Sequence, residues 1–88
     1  MKINPDFVLR NIADEYIIVP VGEAASRLKS FIAVNELGAF IFRQLENDCE
    51  AEDIINAVLA EYDTEGADIR EDCTEFIDSL KSIGAVDC

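Results

Sequence analysis

The chain passes from strand-like to helix-like spacing within residues 31–41, Phe31-Ile32-Ala33-Val34-Asn35-Glu36-Leu37-Gly38-Ala39-Phe40-Ile41. Its first four residues are apolar and include two β-branched side chains, which favours a short strand. Asn35 belongs to the residue types preferred at helix N-caps. The apolar residues that follow recur at helical spacing: Leu37, Phe40, Ile41 and Leu45. The stretch therefore predicts a strand that leads directly into a helix.

Two further strands are predicted upstream of this stretch. Residues 7–13 mix apolar and polar positions, and residues 16–21 are rich in β-branched and aromatic side chains. Asp14-Glu15 supplies a turn between them, so the pair is expected to form an antiparallel hairpin. Pro20 lacks a backbone N–H and belongs at a strand end or on an edge. Residues 22–30 are expected to form a loop.

Two more helices are predicted downstream. The second helix runs from about Glu50 to Tyr62, and residues 63–66 form a turn. The third runs from about Ala67 to Ile83. Asp68 and Glu71 resemble a capping box at its start, and Gly84 suits the C′ position that ends it.

The last helix has three distinguishable faces. The main apolar stripe is Ile69, Cys73, Phe76, Leu80 and Ile83. Beside it lies a semi-apolar stripe of Arg70, Thr74, Ile77 and Lys81, and the opposite face, Asp72, Glu75, Ser79 and Ser82, is polar and acidic. The order βββααα predicts one α+β domain over residues 1–88. It is a winged helix-turn-helix-like fold, in which a three-stranded antiparallel sheet is followed by a three-helix bundle.

Length and composition predict a cytoplasmic globular protein. The chain has 88 residues, half of them hydrophobic, which argues against disorder. No stretch approaches the ~20 apolar residues needed to span a bilayer. The first six residues lack the basic and then apolar layout of a signal peptide.

The net charge of −12 is unevenly distributed. Acids and bases balance up to residue 45, whereas the remainder holds fourteen acids and only two bases, Arg70 and Lys81. Such a surface repels nucleic acid and anionic membranes, which argues against DNA binding despite the winged-helix order. It either keeps the protein dissolved or steers a cationic partner.

Catalytic and metal-binding patterns are missing from the sequence. There is no histidine, and the three cysteines show no CxxC spacing. Cys73 is expected to be a buried core residue. Asp78-Ser79-Leu80 resembles the attachment triplet of acyl carrier proteins, but it lies inside the last helix rather than at the start of one. We therefore expect no catalytic residue, no metal site and no enzyme activity of the chain's own.

The ordered combination of segments resembles the PqqD family, named for its role in pyrroloquinoline quinone biosynthesis. The matching segments are residues 7–22, residues 31–41, Ile54-Ile55, residues 61–63, residues 76–80 and residues 83–86. The most specific of them is the hydrophobic-Asn-Glu-x-Gly step at residues 34–38. The likeness extends over essentially the whole chain.

The resemblance implies a peptide chaperone of the kind found with enzymes that modify ribosomally made peptides. Such a chaperone binds the leader of a precursor peptide as an antiparallel strand and presents it to a modifying enzyme, often a radical S-adenosylmethionine enzyme. Any cofactor belongs to that enzyme, and none is expected in this chain. The protein is expected to be a monomer or a dimer, because an open edge strand permits self-association.

Strand addition assigns candidate peptide-binding residues to two elements. The edge is expected at Phe31, Ile32, Ala33 and Val34, where open backbone groups accept a guest strand. The wall is expected on the last helix at Arg70, Thr74, Ile77 and Lys81, where the bases attract acids of the leader. The alternative is a non-catalytic winged-helix interaction or regulatory module, whose partner binds the acidic surface of the last two helices.

Overall fold

Alternating apolar side chains build the main sheet, and three amphipathic helices follow it. The computed structural model describes residues 1–28, 31–62 and 66–87. Its elements are β1 (Lys2–Ile3), β2 (Phe7–Ile12), β3 (Glu15–Pro20), α1 (Gly22–Arg27), β4 (Ile32–Val34), α2 (Glu36–Gln44), α3 (Ala51–Glu61), α4 (Gly66–Ser82) and β5 (Val86–Asp87). β2, β3 and β4 form an antiparallel sheet in that order. The predicted α+β class and the three-stranded sheet are confirmed.

The hairpin of β2 and β3 turns one residue earlier than expected. Ile12 pairs with Glu15, so the turn consists of Ala13 and Asp14. Both have positive φ, 52° and 67°, which is the backbone of a type I′ turn. Glu15 therefore belongs to β3. Pro20 ends that strand, as its missing N–H predicts.

A short helix occupies part of the predicted loop. α1 covers Gly22–Arg27, and its residue Ala24 is completely buried. After Gly22 the helix contains good helix formers, Glu23-Ala24-Ala25, and the burial of Ala24 adds a tertiary contribution that a local pattern does not reveal. Residues 29 and 30 of the predicted loop, and residues 63–65 of the predicted turn, lie outside the described residues.

The ends of the described chain form a second sheet of two residues per strand. Ile3 pairs with Val86 and Lys2 with Asp87 in antiparallel register. The Ile3 N–H also donates to the Leu45 carbonyl at 2.7 Å, which ties β1 to the end of α2. The sequence analysis missed both strands, because two residues are too few to show a period.

The helix ends follow from local side-chain and backbone chemistry. Asn35 caps α2 as expected, since its side-chain oxygen accepts from the Gly38 N–H at 2.8 Å. α4 ends in a Schellman motif, in which Gly84 has φ 79°. The Ala85 N–H donates to Leu80 O at 2.8 Å and the Gly84 N–H to Lys81 O at 3.1 Å. Asp68, expected at the N-cap of α4, lies inside its first turn because the helix begins at Gly66.

The core joins one face of the sheet to the three long helices. Its largest completely buried side chains come from β3, α2, α3 and α4: Ile18, Ile41, Leu45, Ile54, Leu80, Val58 and Cys73. Cys73 is buried as expected, and burial raises the pKa of its thiol, so the thiol stays protonated at neutral pH. No helix among the described residues has the length and apolar character that a bilayer crossing requires.

Gly38 lies where β4, α2 and α4 come closest together. A Cβ at this position would stand 3.0 Å from Val34 Cβ and 3.1 Å from the Phe76 ring. Both distances are shorter than ordinary van der Waals contact, so only glycine lets the three elements approach this closely. The first turn of α2 therefore packs closely between Val34 at the end of β4 and Phe76 of α4.

We expect Ala13→Gly to stabilise the protein. Ala13 is held at φ 52°, where an L side chain meets its own carbonyl and where glycine has no such penalty. The type I′ turn requires positive φ at residue 13, and glycine adopts it without the steric penalty that alanine has. The free energy of unfolding measured by urea denaturation should therefore rise by about 0.5–1 kcal/mol. Ala25→Gly, in the exposed part of α1, serves as control and should lower it. Equal losses from both substitutions would contradict the turn geometry.

We expect Gly38→Ala to destabilise the protein although alanine is the better helix former. The added methyl group has to displace Val34 or Phe76, which costs about 1–3 kcal/mol and outweighs the helix gain of about 1 kcal/mol. Combining it with Phe76→Leu, which removes part of the obstructing ring, should cost less than the sum of the two single losses in a double-mutant cycle. Strict additivity would show that Phe76 does not confine Gly38.

Candidate functional site

β4 is an edge strand, and its outer side meets no strand of the described residues. Its inner side pairs with β3, with Ile32 opposite Ile18 and Val34 opposite Tyr16. An edge strand keeps backbone donors and acceptors unpaired along its free side. β4 therefore offers main-chain hydrogen-bonding groups to a further extended chain.

The side chains of this edge alternate between the core and the surface. Ile32 and Val34 are half-buried and pack against the core, whereas Ala33 is exposed. Phe31, directly before the strand, has 63% of its surface exposed, which is unusual for so large an apolar side chain. The four residues predicted as the edge thus lie together, although β4 itself begins at Ile32.

A cleft of about 370 Å³ separates the start of α2 from α4, next to β4. Phe76 packs at its base, close to Gly38 and Val34. The walls are formed by the residues that join β4 to α2 and by one flank of α4: Asn35, Leu37, Gly38, Ile41, Asp72, Glu75, Phe76 and Ser79. The cleft opens to solvent, and its lining includes Asn35, the residue that follows β4.

A second concavity, of about 320 Å³, lies at the carboxyl end of β4. It is lined by the β2–β3 turn, the end of β4 and the start of α2: Asp14, Glu15, Tyr16, Ala33, Val34, Asn35 and Glu36. Together the two concavities contain five carboxylates, and no lysine or arginine of the described residues lines either one. The surroundings of β4 are therefore strongly negative.

The opposite flank of α4 is directed toward α3. Arg70 donates through both terminal guanidinium nitrogens to the carboxylate of Glu52, the Nη2 contact measuring 3.3 Å. This bond lowers the pKa of Glu52 and raises that of Arg70. Thr74 is exposed, and its hydroxyl donates to the Arg70 carbonyl at 2.8 Å. Of the two bases on this stripe, Arg70 is thus turned toward α3.

The structure separates the two predicted halves of the peptide site. Arg70, Thr74 and Lys81 are exposed but do not line the cleft beside β4. Ile77 is only 3% exposed and forms part of the core with Cys73 and Leu80, so it is not a surface of the cleft. Peptide contacts of these four residues stay a prediction. The α4 flank that faces the cleft is the acidic one, which the sequence analysis placed on the opposite face.

The acidic flank of α4 faces the cleft because the buried face of the helix is centred differently from the prediction. Ile69, Cys73, Ile77 and Leu80 follow the spacing of a helical face that is broad enough to include Ile77. Phe76, assigned from sequence to the centre of the apolar stripe, lies at its border and is half-buried. Because Ile77 rather than Phe76 lies at the centre of the buried face, α4 is rotated relative to the prediction. In this orientation Asp72 and Glu75 line the cleft.

Other candidate sites in the described residues are few. No group of histidine, cysteine or acidic side chains there is arranged to hold a metal ion. A third concavity, of about 730 Å³, is lined by the N-terminal segment, β2, Tyr16 and residues 42–46, with no contribution from β4 or α4. It includes both bases and acids, Lys2, Arg43 and Glu46, beside Phe7 and Phe42.

Comparisons with known proteins agree with this geometry. No curated protein matches the chain. A solved structure described as TbiB1 in complex with the TbiA(beta) leader peptide is 25% identical, with a TM-score of 0.71 over 99% of this chain and all of that one. A second, lasso peptide synthetase B1 complexed with the leader peptide, shares the fold at 19% identity and a TM-score of 0.72, over 96% of this chain and 93% of that one. The sequence profile of coenzyme PQQ synthesis protein D (PqqD) matches residues 15–86, and the chain therefore belongs to the PqqD family.

Proposed function

We propose that this protein binds the leader segment of a precursor peptide as an additional strand on β4 and presents it to a modifying enzyme. The observation that carries the proposal is the free edge of β4 beside a cleft bordered by α4. An extended peptide there gains main-chain hydrogen bonds from the edge and side-chain contacts from the cleft. Affinity and selectivity thus come from different parts of one site.

The comparisons support a peptide as the occupant. TbiB1 matches this chain over almost its full length, and its structure was determined with a leader peptide. Lasso peptide synthetase B1, which shares the fold, was also determined with a leader peptide. Membership of the PqqD family adds the role in coenzyme synthesis that the family name describes.

We assign the helical wall of the groove to Asp72, Glu75, Phe76 and Ser79 rather than to the basic stripe. These residues line the cleft, whereas Ile77 is buried and Arg70 is bound to Glu52. The edge assignment at residues 31–34 is kept. Phe31 and Phe76 then supply apolar contact on the two sides of a guest strand, because alternate side chains of a strand point to opposite faces.

A binding role, with the chemistry left to a partner enzyme, follows from the residue types present. The chain lacks histidine, and the pKa of the buried thiol of Cys73 is raised, which makes that thiol a poor nucleophile. The partner proposed from the family resemblance is a modifying enzyme such as a radical S-adenosylmethionine protein. That enzyme would carry any cofactor the reaction needs.

The test is a peptide titration followed by backbone amide spectra. Because the natural leader is not identified, the probe is a linear peptide of about a dozen residues, selected from a random display library by binding to this protein. We expect saturable shifts concentrated at Ile32–Val34 and at residues 72–79. Shifts confined to Phe7, Leu9 and Phe42 would assign the peptide to the other concavity. Selection of no binder, or shifts confined to α3 and the Arg70 flank, would favour the alternative interaction module.

Phe31→Ala should weaken binding of the selected peptide about three- to thirtyfold with little loss of stability. The side chain is largely exposed, so its removal costs contact with the guest rather than core packing. Ile12→Ala is the matched control, since Ile12 is also an exposed apolar residue, at 58%, but lies at the far end of the hairpin. Affinity measured by fluorescence anisotropy should be unchanged in the control. Equal losses in both variants would contradict a specific role of Phe31.

A further inference from the structure

We infer that the leader bound at β4 is cationic and directs lysine or arginine side chains toward α4. This inference rests on the proposed function and specifies the chemical class of the peptide. It reverses the expectation from sequence, in which bases on α4 attract acids of the leader.

The carboxylates of α4 line the cleft whose other wall begins at Asn35, the residue that follows β4. Asp72 and Glu75 are three residues apart, so they lie next to each other on one flank of the helix. Phe76, on the same flank, approaches Val34 through the glycine at position 38. A guest strand would lie one strand spacing, about 4.8 Å, beyond β4, along this flank.

None of these carboxylates forms an ion pair within the described residues, although Arg43 lies over the ring of Tyr16 at the second concavity. The two ion pairs found there join the amino terminus to Asp48 and Arg70 to Glu52. Neither includes a carboxylate of the two concavities, Asp14, Glu15, Glu36, Asp72 or Glu75. The most favourable guest is therefore one that brings positive charge of its own.

The geometry of a strand determines where the peptide carries its bases. Only every second side chain of an added strand points to the same face, so the α4-facing positions form one alternating set. Those positions meet Asp72, Glu75 and the ring of Phe76. Bases interspersed with apolar residues at alternate positions suit this surface, because the stems of lysine and arginine also cover apolar area. Glutamate or aspartate there would face like charge.

The experiment measures how the amino-acid composition of selected peptides changes when the charge of the cleft is changed. The same random display library is selected against the wild-type protein, the neutralised variant D72N/E75Q and the control D78N. Asp78 is an exposed carboxylate of α4 that does not line the cleft, so the control removes charge from the same helix elsewhere. Amide spectra of each selected complex report whether the peptide occupies β4.

We expect wild type and D78N to enrich lysine and arginine at alternate positions, and D72N/E75Q to lose this enrichment. A peptide selected on wild type should bind D72N/E75Q about tenfold more weakly at low salt, and the difference should shrink as salt is added. A peptide in which one lysine is replaced by glutamate should bind wild type more weakly and regain part of its affinity on Glu75→Lys. A merely structural effect of the substitutions would not restore affinity.

Two different failures are distinguishable. Peptides that shift the amides of β4 but show no enrichment of bases, or an enrichment of acids, would overturn the inference and leave the proposed function intact. Peptides that leave β4 unshifted, or a library that yields no binder, would overturn both.

Discussion

Burial of the apolar face of α4 determines what the surface beside β4 presents. Ile69, Cys73, Ile77 and Leu80 are all buried, and Leu80 and Cys73 are among the largest completely buried side chains. Exposing any of them by rotating the helix would cost on the order of 1.5–3 kcal/mol per large side chain. The rotation of α4 is therefore fixed by the core. The positions of the charges on its two flanks are fixed with it: Arg70 faces α3, while Asp72 and Glu75 line the cleft against the start of α2.

Most of the fold could be predicted from local sequence. The apolar run before Asn35, the cap itself and the helical spacing after it gave strand and helix in the right order, and Gly84 ended α4 by the expected motif. The elements that were missed share a physical cause. β1 and β5 are too short to show a period, and α1 depends on the burial of Ala24, a tertiary contact.

The candidate site was predictable only in part. The edge at β4 agrees with the predicted strand order, because β4 pairs with β3 and the one later strand, β5, pairs with β1 instead. The sequence does not determine which flank of α4 forms the helical wall of the site. A helical pattern tells how far apart two flanks lie, but it contains no information about which flank meets which neighbour. In the structure Arg70 binds Glu52 of α3, whereas Glu75 lines the cleft, and the peptide contacts of both flanks stay predictions.

The carboxylates around β4 have a consequence for contacts between copies of the protein. An uncovered sheet border is the surface by which folded proteins most readily join into larger assemblies. If two copies met border to border, Asp72 and Glu75 of each would be brought toward the same acidic groups of the other, and the repulsion would oppose the joining. On the proposed function, the acidic surroundings would therefore disfavour pairing between copies while leaving the border accessible to a chain of opposite charge.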